Sequence, residues 1–304
     1  MVVDSLYIIA GLVLLVLGGD LLVKGAVNLA LRLGVAPLVV GLTVVAFGTS
    51  APEMIVSLSA ALRGSTDIAL GNVVGSNTAN VLVILGAAAV IAPIVTRGHD
   101  LRESWFMMMG ASVLLIVLAL MGPIGTLAAL VLLAGMVAVL WRQLATAQSD
   151  DSPANPGAQW PRIIGWLAAG LVLLPVGANL LVQGATNIAR DFGISEVVIG
   201  LTLVAVGTSL PELAATVAAA LKRQSDIALG NVVGSNIFNI LFILGVTGLI
   251  KPLPIPDQML RLDLWVMLGA GLILAPFLFR GVTIGRAAGA ALLAGYAGYV
   301  WVLI

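Results

Sequence analysis

Long apolar stretches recur along the whole chain and are separated by short polar interruptions. Most are twenty residues or longer, about the length a helix needs to cross a hydrocarbon core of roughly 30 Å. Glycine, proline and charged residues mark the places where one stretch ends and the next begins. The pattern predicts ten membrane-spanning helices, over residues 6–31, 36–62, 67–92, 103–121, 124–145, 162–187, 195–221, 226–250, 261–280 and 283–303.

Composition supports an all-α membrane protein, because 61% of the residues are apolar and only 9% are charged. A soluble domain carries about a quarter charged residues. The net charge of zero argues against a nucleic-acid partner, and the absence of cysteine excludes disulfides and thiolate metal sites. Histidine chemistry is not expected from the single His99, and no phosphate-binding loop occurs. We therefore expect neither an enzyme nor a cofactor.

The polar segment TAQSDDSPANPGAQWP divides the chain into two halves. Its serine, proline and asparagine content is typical of a loose linker. We assign residues 1–145 to helices 1 to 5, residues 146–161 to the linker, and residues 162–304 to helices 6 to 10. Lysine and arginine are concentrated at the helix ends on the linker's side, so the positive-inside rule predicts a cytoplasmic linker with both termini outside.

The two halves share an internal repeat. The segment GLTVVAFGTSAPEMIVSLSAALRGSTDIALGNVVGSN from Gly41 returns from Gly200 as GLTLVAVGTSLPELAATVAAALKRQSDIALGNVVGSN, with more than half of the positions identical and no gap. An odd number of helices in each half makes the second repeat enter the membrane from the opposite face. Such inverted pairs occur in transporters, whose sites lie near the midplane where discontinuous helices meet. We expect helices 2, 3, 7 and 8 to be discontinuous there.

One glutamate of each repeat is predicted to lie at the middle of the membrane. Glu53 precedes Arg63 by ten residues and Glu212 precedes Lys222 by ten, or about 15 Å of helix. A carboxylate at that depth is costly and needs a partner. Neither repeat supplies a basic residue at the same depth, so the simplest partner is a bound cation.

Oxygen donors surround both glutamates in the sequence. Pro52 and Pro211 lack an N–H group and should free backbone carbonyls in the preceding turns. Such an all-oxygen donor set suits Ca²⁺ better than Zn²⁺ or Cu²⁺, which prefer histidine or cysteine. The hydroxyl and amide side chains of the set are Thr49, Ser50, Ser76, Asn80, Thr208, Ser209, Ser235 and Asn239.

Two features admit a plainer interpretation. A single small-residue or GTSxPE motif is usually a helix-packing element, but its duplication at matching depth favours a binding role. Asp20 and Lys24 are four residues apart in the first helix, and both are replaced by neutral residues in the repeat, by Asn179 and Gln183. We expect them to form an ion pair with each other, with gating as the alternative.

The motifs GTSAPE…GNVVGSN…N and GTSLPE…GNVVGSN…N resemble those of the cation/Ca²⁺ exchanger superfamily, and of its prokaryotic sodium/calcium exchangers in particular. The resemblance covers both repeats. It implies a prokaryotic plasma-membrane protein in which Ca²⁺ and Na⁺ share two carboxylates. It also implies that the first and sixth helices slide across the core. The implied ligands are Glu53, Glu212, Thr49, Thr208, Ser50, Ser209, Ser76, Ser235, Asn80 and Asn239, with the carbonyls of Ala46 and Ala205.

The resemblance further implies that transport does not depend on potassium. Some prokaryotic exchangers and the potassium-dependent branch carry aspartate at the position of Asn239, whereas potassium-independent animal exchangers carry asparagine. The expected function is Ca²⁺ exchange for Na⁺ by alternating access, with Ca²⁺ and Na⁺ as substrates and the lipid bilayer as surroundings. A proton/Ca²⁺ exchanger is the nearest alternative, followed by a cation channel and by a membrane scaffold that binds ions structurally.

Overall fold

The computed structural model describes residues 2–96, 101–146, 158–193 and 207–303. Seven helices in this part are long and apolar enough to cross a membrane, and a bent pair makes an eighth. The predicted helix 195–221 is described only in its second half. Most of the linker, His99 and Ala205 lie outside the described residues. The helices are α1 (Val2–Leu33), α2 (arms Pro37–Thr49 and Ala51–Leu62), α3 (Thr66–Ile91), α4 (Arg102–Met121), α5 (Thr126–Thr146), α6 (Trp160–Asp191), α7 (Leu210–Leu221), α8 (Ser225–Ile250), α9 (Met259–Arg280) and α10 (Arg286–Leu303).

The helices of the repeated motif depart from regular geometry in two different ways. The arms of α2 meet at Ser50 with a bend of 45°, next to Pro52, which has no N–H for the preceding turn. Helices α3 and α8 were expected to be discontinuous, but both run unbroken. They contain no proline, and their hydrogen bonding changes instead to a π-helical turn over Asn80–Leu85 and Asn239–Ile243. Such turns are frequent at functional sites.

Glycines spaced seven residues apart bring α1 and α6 into close antiparallel contact. They are Gly11, Gly18 and Gly25 on α1 and Gly170, Gly177 and Gly184 on α6. A Cβ atom built on Gly177 would lie 2.9 Å from the carbonyl oxygen of Gly11. Small residues of this kind let membrane helices pack backbone against backbone. The two helices thus form one tightly packed pair.

Each half packs its third helix against the fifth helix of the other half. Gly86 of α3 faces Gly289 of α10, and Gly245 of α8 faces Leu133 of α5. Short antiparallel bridges repeat this exchange, between Ile94 and Ile284 and between Ile124 and Leu253. The halves are therefore interlocked, and large apolar side chains such as Trp301 remain on the outer surface, where lipid would cover them.

The expected ion pair between Asp20 and Lys24 is wrong. Asp20 Oδ1 lies 2.6 Å from Nζ of Lys222, the C-cap residue of α7, and Lys24 Nζ lies 4.4 Å from the ring centroid of Trp166 on α6. Four-residue spacing allows a pair on one helix, but exposed pairs of that kind gain only a few tenths of a kcal/mol. Neighbouring helices offer better partners here, and the Asp20–Lys222 pair ties α1 to α7.

The α1–α6 contact predicts opposite effects for two glycine substitutions on α6. Gly177→Ala should lower the unfolding temperature, because its Cβ atom meets the α1 backbone and overpacking costs about 1–3 kcal/mol. Gly165→Ala is the matched control, since no described atom lies within 4 Å of its Cβ position and alanine favours helix by up to about 1 kcal/mol. Thermal unfolding in detergent, followed by tryptophan fluorescence, measures both. A Gly177→Ala protein as stable as the control would contradict the close packing.

Candidate cation site

The two predicted glutamates occupy equivalent positions at the centre of the helices. Glu53 lies in the first turn of the second arm of α2, and Glu212 lies in the first turn of α7. Each is only 1% exposed, and within the described ranges they are the only buried charged side chains. Carboxylates beside an N-terminal turn gain from its unpaired N–H groups, but this contribution does not neutralise two charges in an apolar interior.

Serines from opposite repeats hold the two carboxylates. Ser50 Oγ donates a hydrogen bond to Glu212 Oε1 at 3.0 Å, and Ser209 Oγ donates one to Glu53 Oε1 at 3.2 Å. Each serine lies three residues before the glutamate of its own repeat, at the start of a helix that begins with proline in its first turn. The carboxylates therefore face each other's repeats, and the site lies between the two.

Two asparagines that the sequence analysis did not select fix the backbone at the glutamates. Asn72 Nδ2 donates to the Glu53 carbonyl at 3.1 Å and to Ser57 Oγ at 2.9 Å. Asn231 makes the same pair of bonds, to the Glu212 carbonyl at 3.3 Å and to the Thr216 hydroxyl at 2.9 Å. The GNVVGSN motif could have revealed these two asparagines, because its first asparagine recurs in both copies just as its serine does.

The asparagines at the π-helical turns of α3 and α8 cross over between the repeats. Asn80 Nδ2 donates to Asn236 Oδ1 at 2.9 Å, and Asn239 Nδ2 donates to Asn77 Oδ1 at 3.1 Å. These bonds use the amide nitrogens and leave the amide oxygens of Asn80 and Asn239 for other partners. Asn77 and Asn236 were also missed by the sequence analysis, although both belong to the repeated motif.

Five buried oxygens of the predicted ligand set accept or donate no hydrogen bond within the described part of the chain. Buried polar groups are nearly always paired, so five such oxygens indicate a partner other than the described protein groups. Carboxylate and amide oxygens can be satisfied together by a cation. The five oxygens are Glu53 Oε2, Glu212 Oε2, Asn80 Oδ1, Asn239 Oδ1 and Ser235 Oγ.

The remaining predicted ligands are placed as follows. Thr49 is buried, and its hydroxyl oxygen lies 3.1 Å from Asn231 Oδ1 and 3.3 Å from the Ala46 carbonyl, so its single proton can serve only one of them. The Ala46 carbonyl also accepts the Ser50 N–H at 3.0 Å. Ser76 is buried on α3. Ala205 lies outside the described residues, so its carbonyl stays a prediction.

A cavity of about 190 Å³ opens beside the site. It reaches the site at Thr208, a predicted ligand, and at Pro52, which adjoins Glu53. Its other wall is formed by α6, where Asn179 is the polar side chain. A cavity of this volume has room for several waters, and Thr208 supplies a hydroxyl where the cavity meets the site. The lining residues are Pro52, Pro175, Ala178, Asn179, Val182, Gly207 and Thr208.

Apolar helices in interlocked repeats around buried, unpaired oxygens define an ion-transporting membrane protein. A family model described as "Sodium/calcium exchanger protein" matches residues 4–145 and 162–304. The putative antiporter CaxA of Alkalimonas amylolytica is 38% identical over 319 residues, which cover 100% of this chain and 99% of CaxA. The inner membrane protein YrbG of Escherichia coli (strain K12) is 38% identical over 316 residues, covering 99% and 96%. A solved structure of the sodium-calcium exchanger NCX_Mj matches with a TM-score of 0.89 at 33% identity, covering 100% of this chain and 99% of that one.

The chain belongs to the sodium/calcium exchanger family. It is an integral membrane cation/Ca²⁺ exchanger with the inverted-repeat fold, and it is not an enzyme. Ca²⁺ and Na⁺ are the substrates of this family, and no cofactor takes part.

The two buried carboxylates predict an unusual gain in stability when one is neutralised. In choline buffer with a Ca²⁺ chelator, Glu212→Gln should unfold at a higher temperature than the wild type, because an uncompensated buried charge is costly. Added Ca²⁺ should raise the unfolding temperature of the wild type by mass action and have little effect on the variant.

Asp67→Asn provides the matched control, since it makes the same chemical change at an exposed carboxylate on α3. It should behave as the wild type in both buffers. Full Ca²⁺ stabilisation of both Glu53→Gln and Glu212→Gln would contradict a site built on these two residues.

Proposed function

We propose that this protein exchanges Ca²⁺ for Na⁺ by alternating access, without a requirement for K⁺. Glu53 and Glu212 are the central ligands, and the hydroxyls and amides of α2, α3, α7 and α8 complete the coordination. The observation that carries the proposal is the pair of buried carboxylates whose Oε2 atoms have no partner among the described residues. Their Oε1 atoms are held by serines of the opposite repeat.

The donor set supports Ca²⁺ and Na⁺ over transition metals. Ca²⁺ takes six to eight oxygen ligands and favours carboxylates. The described part of the chain has no cluster of three or more histidine, cysteine, aspartate or glutamate side chains. The proposed site therefore combines two carboxylates with neutral oxygens from Asn80, Asn239 and Ser235.

Competition for these oxygens explains exchange. Two ionised carboxylates in a low-dielectric site oppose movement of the empty carrier, because their charge would cross the membrane uncompensated. Either Ca²⁺ or Na⁺ neutralises them, and a shared site cannot hold both complete loads at once. The two ions are then coupled by competition for one alternating site, without a second coupling device.

The helix packing also supports the proposal that α1 and α6 are the helices that move during transport. Helices α1 and α6 form one glycine-packed pair, and the cavity lies between α6 and the ligand-bearing helices. We propose that this pair slides across the core to expose the site alternately. Residues 1–145 and 162–304 form the two repeats, and residues 146–161 are a cytoplasmic linker with both termini outside.

The neutral amide of Asn239 supports independence from K⁺. An aspartate at this position would add a third carboxylate to the site. With asparagine, Glu53 and Glu212 are the only buried charged side chains in the part of the chain that the structure describes. Omitting K⁺ from both sides of the membrane should therefore leave exchange unchanged.

The proposal is tested by ⁴⁵Ca²⁺ uptake into Na⁺-loaded proteoliposomes, with choline outside and K⁺ absent. The wild type should accumulate Ca²⁺ only when Na⁺ is inside. Glu53→Gln and Glu212→Gln should each lose uptake, because a single carboxylate cannot balance a divalent cation in this interior. Asp67→Asn should retain it.

Three outcomes would overturn parts of the proposal. Uptake driven by a pH gradient and indifferent to internal Na⁺ would identify a proton/Ca²⁺ exchanger. Uptake that appears only with K⁺ would refute K⁺ independence. Unimpaired uptake by both glutamine variants would refute the assigned site.

A further inference from the structure

Four of the six asparagines of α3 and α8, Asn77, Asn80, Asn236 and Asn239, are linked by hydrogen bonds across the two helices, and they play two different parts. The Oδ1 atoms of Asn80 and Asn239 are buried and have no hydrogen-bond partner within the described structure. Asn77 and Asn236 use their Oδ1 atoms to accept the amide groups of those two residues. All four side chains are buried, with exposures of 4% or less. The network is thus divided into ligands and supports.

The orientation of the supporting asparagines is fixed by contacts that only an amide nitrogen can make. Asn77 Nδ2 donates to the Asn236 carbonyl at 3.3 Å and lies 3.7 Å from the sulfur of Met267. Asn236 Nδ2 donates to the Asn77 carbonyl at 3.3 Å and lies 3.6 Å from the sulfur of Met108. A flipped Asn77 would place oxygen against oxygen at the Asn236 carbonyl. Its Oδ1 is therefore directed towards Asn239.

The fixed orientation of Asn77 and Asn236 also fixes the orientation of the proposed ligands Asn239 and Asn80. Asn239 must direct its Nδ2 towards the acceptor on Asn77, so its buried Oδ1 is left without a partner among the described residues. A flipped Asn239 would oppose two oxygens at Asn77 and direct an N–H₂ group at a cation. Asn236 imposes the same choice on Asn80. An asparagine oxygen and nitrogen are otherwise nearly equivalent in shape, so only the network selects between them.

We propose that Asn77 and Asn236 are positioning residues that hold the amide oxygens of Asn239 and Asn80 towards the cation, each acting across the boundary between the repeats. This inference rests on the proposed function, because it takes Asn80 and Asn239 as ligands. The supports do not touch the ion. They act through one ligand each, and the pairing is crossed: α3 positions the ligand of α8, and α8 positions that of α3.

Because Asn77 is paired with Asn239 and not with Asn80, a positioning role and a purely structural role of Asn77 predict different results. Asn77→Ala should weaken Ca²⁺ binding roughly five-fold, the change expected from about one net hydrogen bond. The same substitution should have little further effect once Asn239 has been changed to alanine, because the group it positions is gone. In an Asn80→Ala background, the full loss should remain.

The experiment is a pair of double-mutant cycles, with Ca²⁺ binding measured by calorimetry on the full-length protein in detergent. One cycle combines Asn77→Ala with Asn239→Ala, and the matched control cycle combines Asn77→Ala with Asn80→Ala. Alanine keeps the Asn77 carbonyl, so the bond from Asn236 survives in every variant. Unfolding temperatures are recorded alongside. Should Asn77→Ala fail to fold, the mirror cycles of Asn236→Ala with Asn80→Ala and Asn239→Ala replace it.

The outcomes separate this inference from the function on which it rests. Coupling to Asn239 with additivity to Asn80 supports the positioning role. Equal effects in both backgrounds, accompanied by a lower unfolding temperature, would overturn it and leave Asn77 as a structural contact between α3 and α8. Unchanged Ca²⁺ affinity in both Asn80→Ala and Asn239→Ala would instead refute these residues as ligands.

Discussion

The structure depends on the presence of two carboxylates in an apolar interior that offers no buried basic partner among its described residues. Each carboxylate lies in the first turn of a helix, receives a hydroxyl from the opposite repeat, and has its backbone tied to the neighbouring helix by an asparagine. These contacts fix the oxygens in space but supply no positive charge. In the proposed site a cation would supply the balancing charge, and its occupancy would then be the variable on which transport depends.

The hydrogen bonds that cross between the repeats explain why two copies of one motif can build a single central site. Ser50 holds Glu212 and Ser209 holds Glu53, so neither repeat completes its own half of the site. The same exchange appears in the packing, where α3 contacts α10 and α8 contacts α5. Interlocked halves keep the ligand-bearing helices in a fixed relation. The glycine-packed pair α1 and α6 remains at one side, linked to α7 through the Asp20–Lys222 ion pair.

The sequence was sufficient for the features that follow from one-dimensional patterns. Apolar run lengths predicted the described helices to within a few residues, and the repeat with its glutamates predicted the family and the inverted architecture. What it missed depends on contacts between helices. Four-residue spacing suggested a pair between Asp20 and Lys24, but their observed partners, Lys222 and Trp166, are distant in sequence.

The asparagines illustrate the same limit. Ser76 and Asn80 are four residues apart, a spacing that puts them on one face of a regular helix and gives no role to Asn77. The π-helical turn that begins at Asn80 and the approach of α8 decide which amide reaches the site and which supports it. Proline explains the bend of α2. Helices α3 and α8 contain no proline, so their π-helical turns could not be predicted from it.

The balance of charge in the proposed site links the structure to its energetics. Two carboxylates match the charge of one Ca²⁺ ion or of two Na⁺ ions, so either load can cross the low-dielectric interior close to neutral. Neutral amides let the site gain ligands and rigidity without adding negative charge. Additional negative charge would strengthen Ca²⁺ binding and slow its release. Any Na⁺ beyond the second would cross with uncompensated charge, and exchange would then be driven by the membrane potential as well as by the Na⁺ gradient. With an amide at position 239 instead of a carboxylate, the proposed site would attract cations less strongly and would carry more net positive charge when it is loaded with Na⁺.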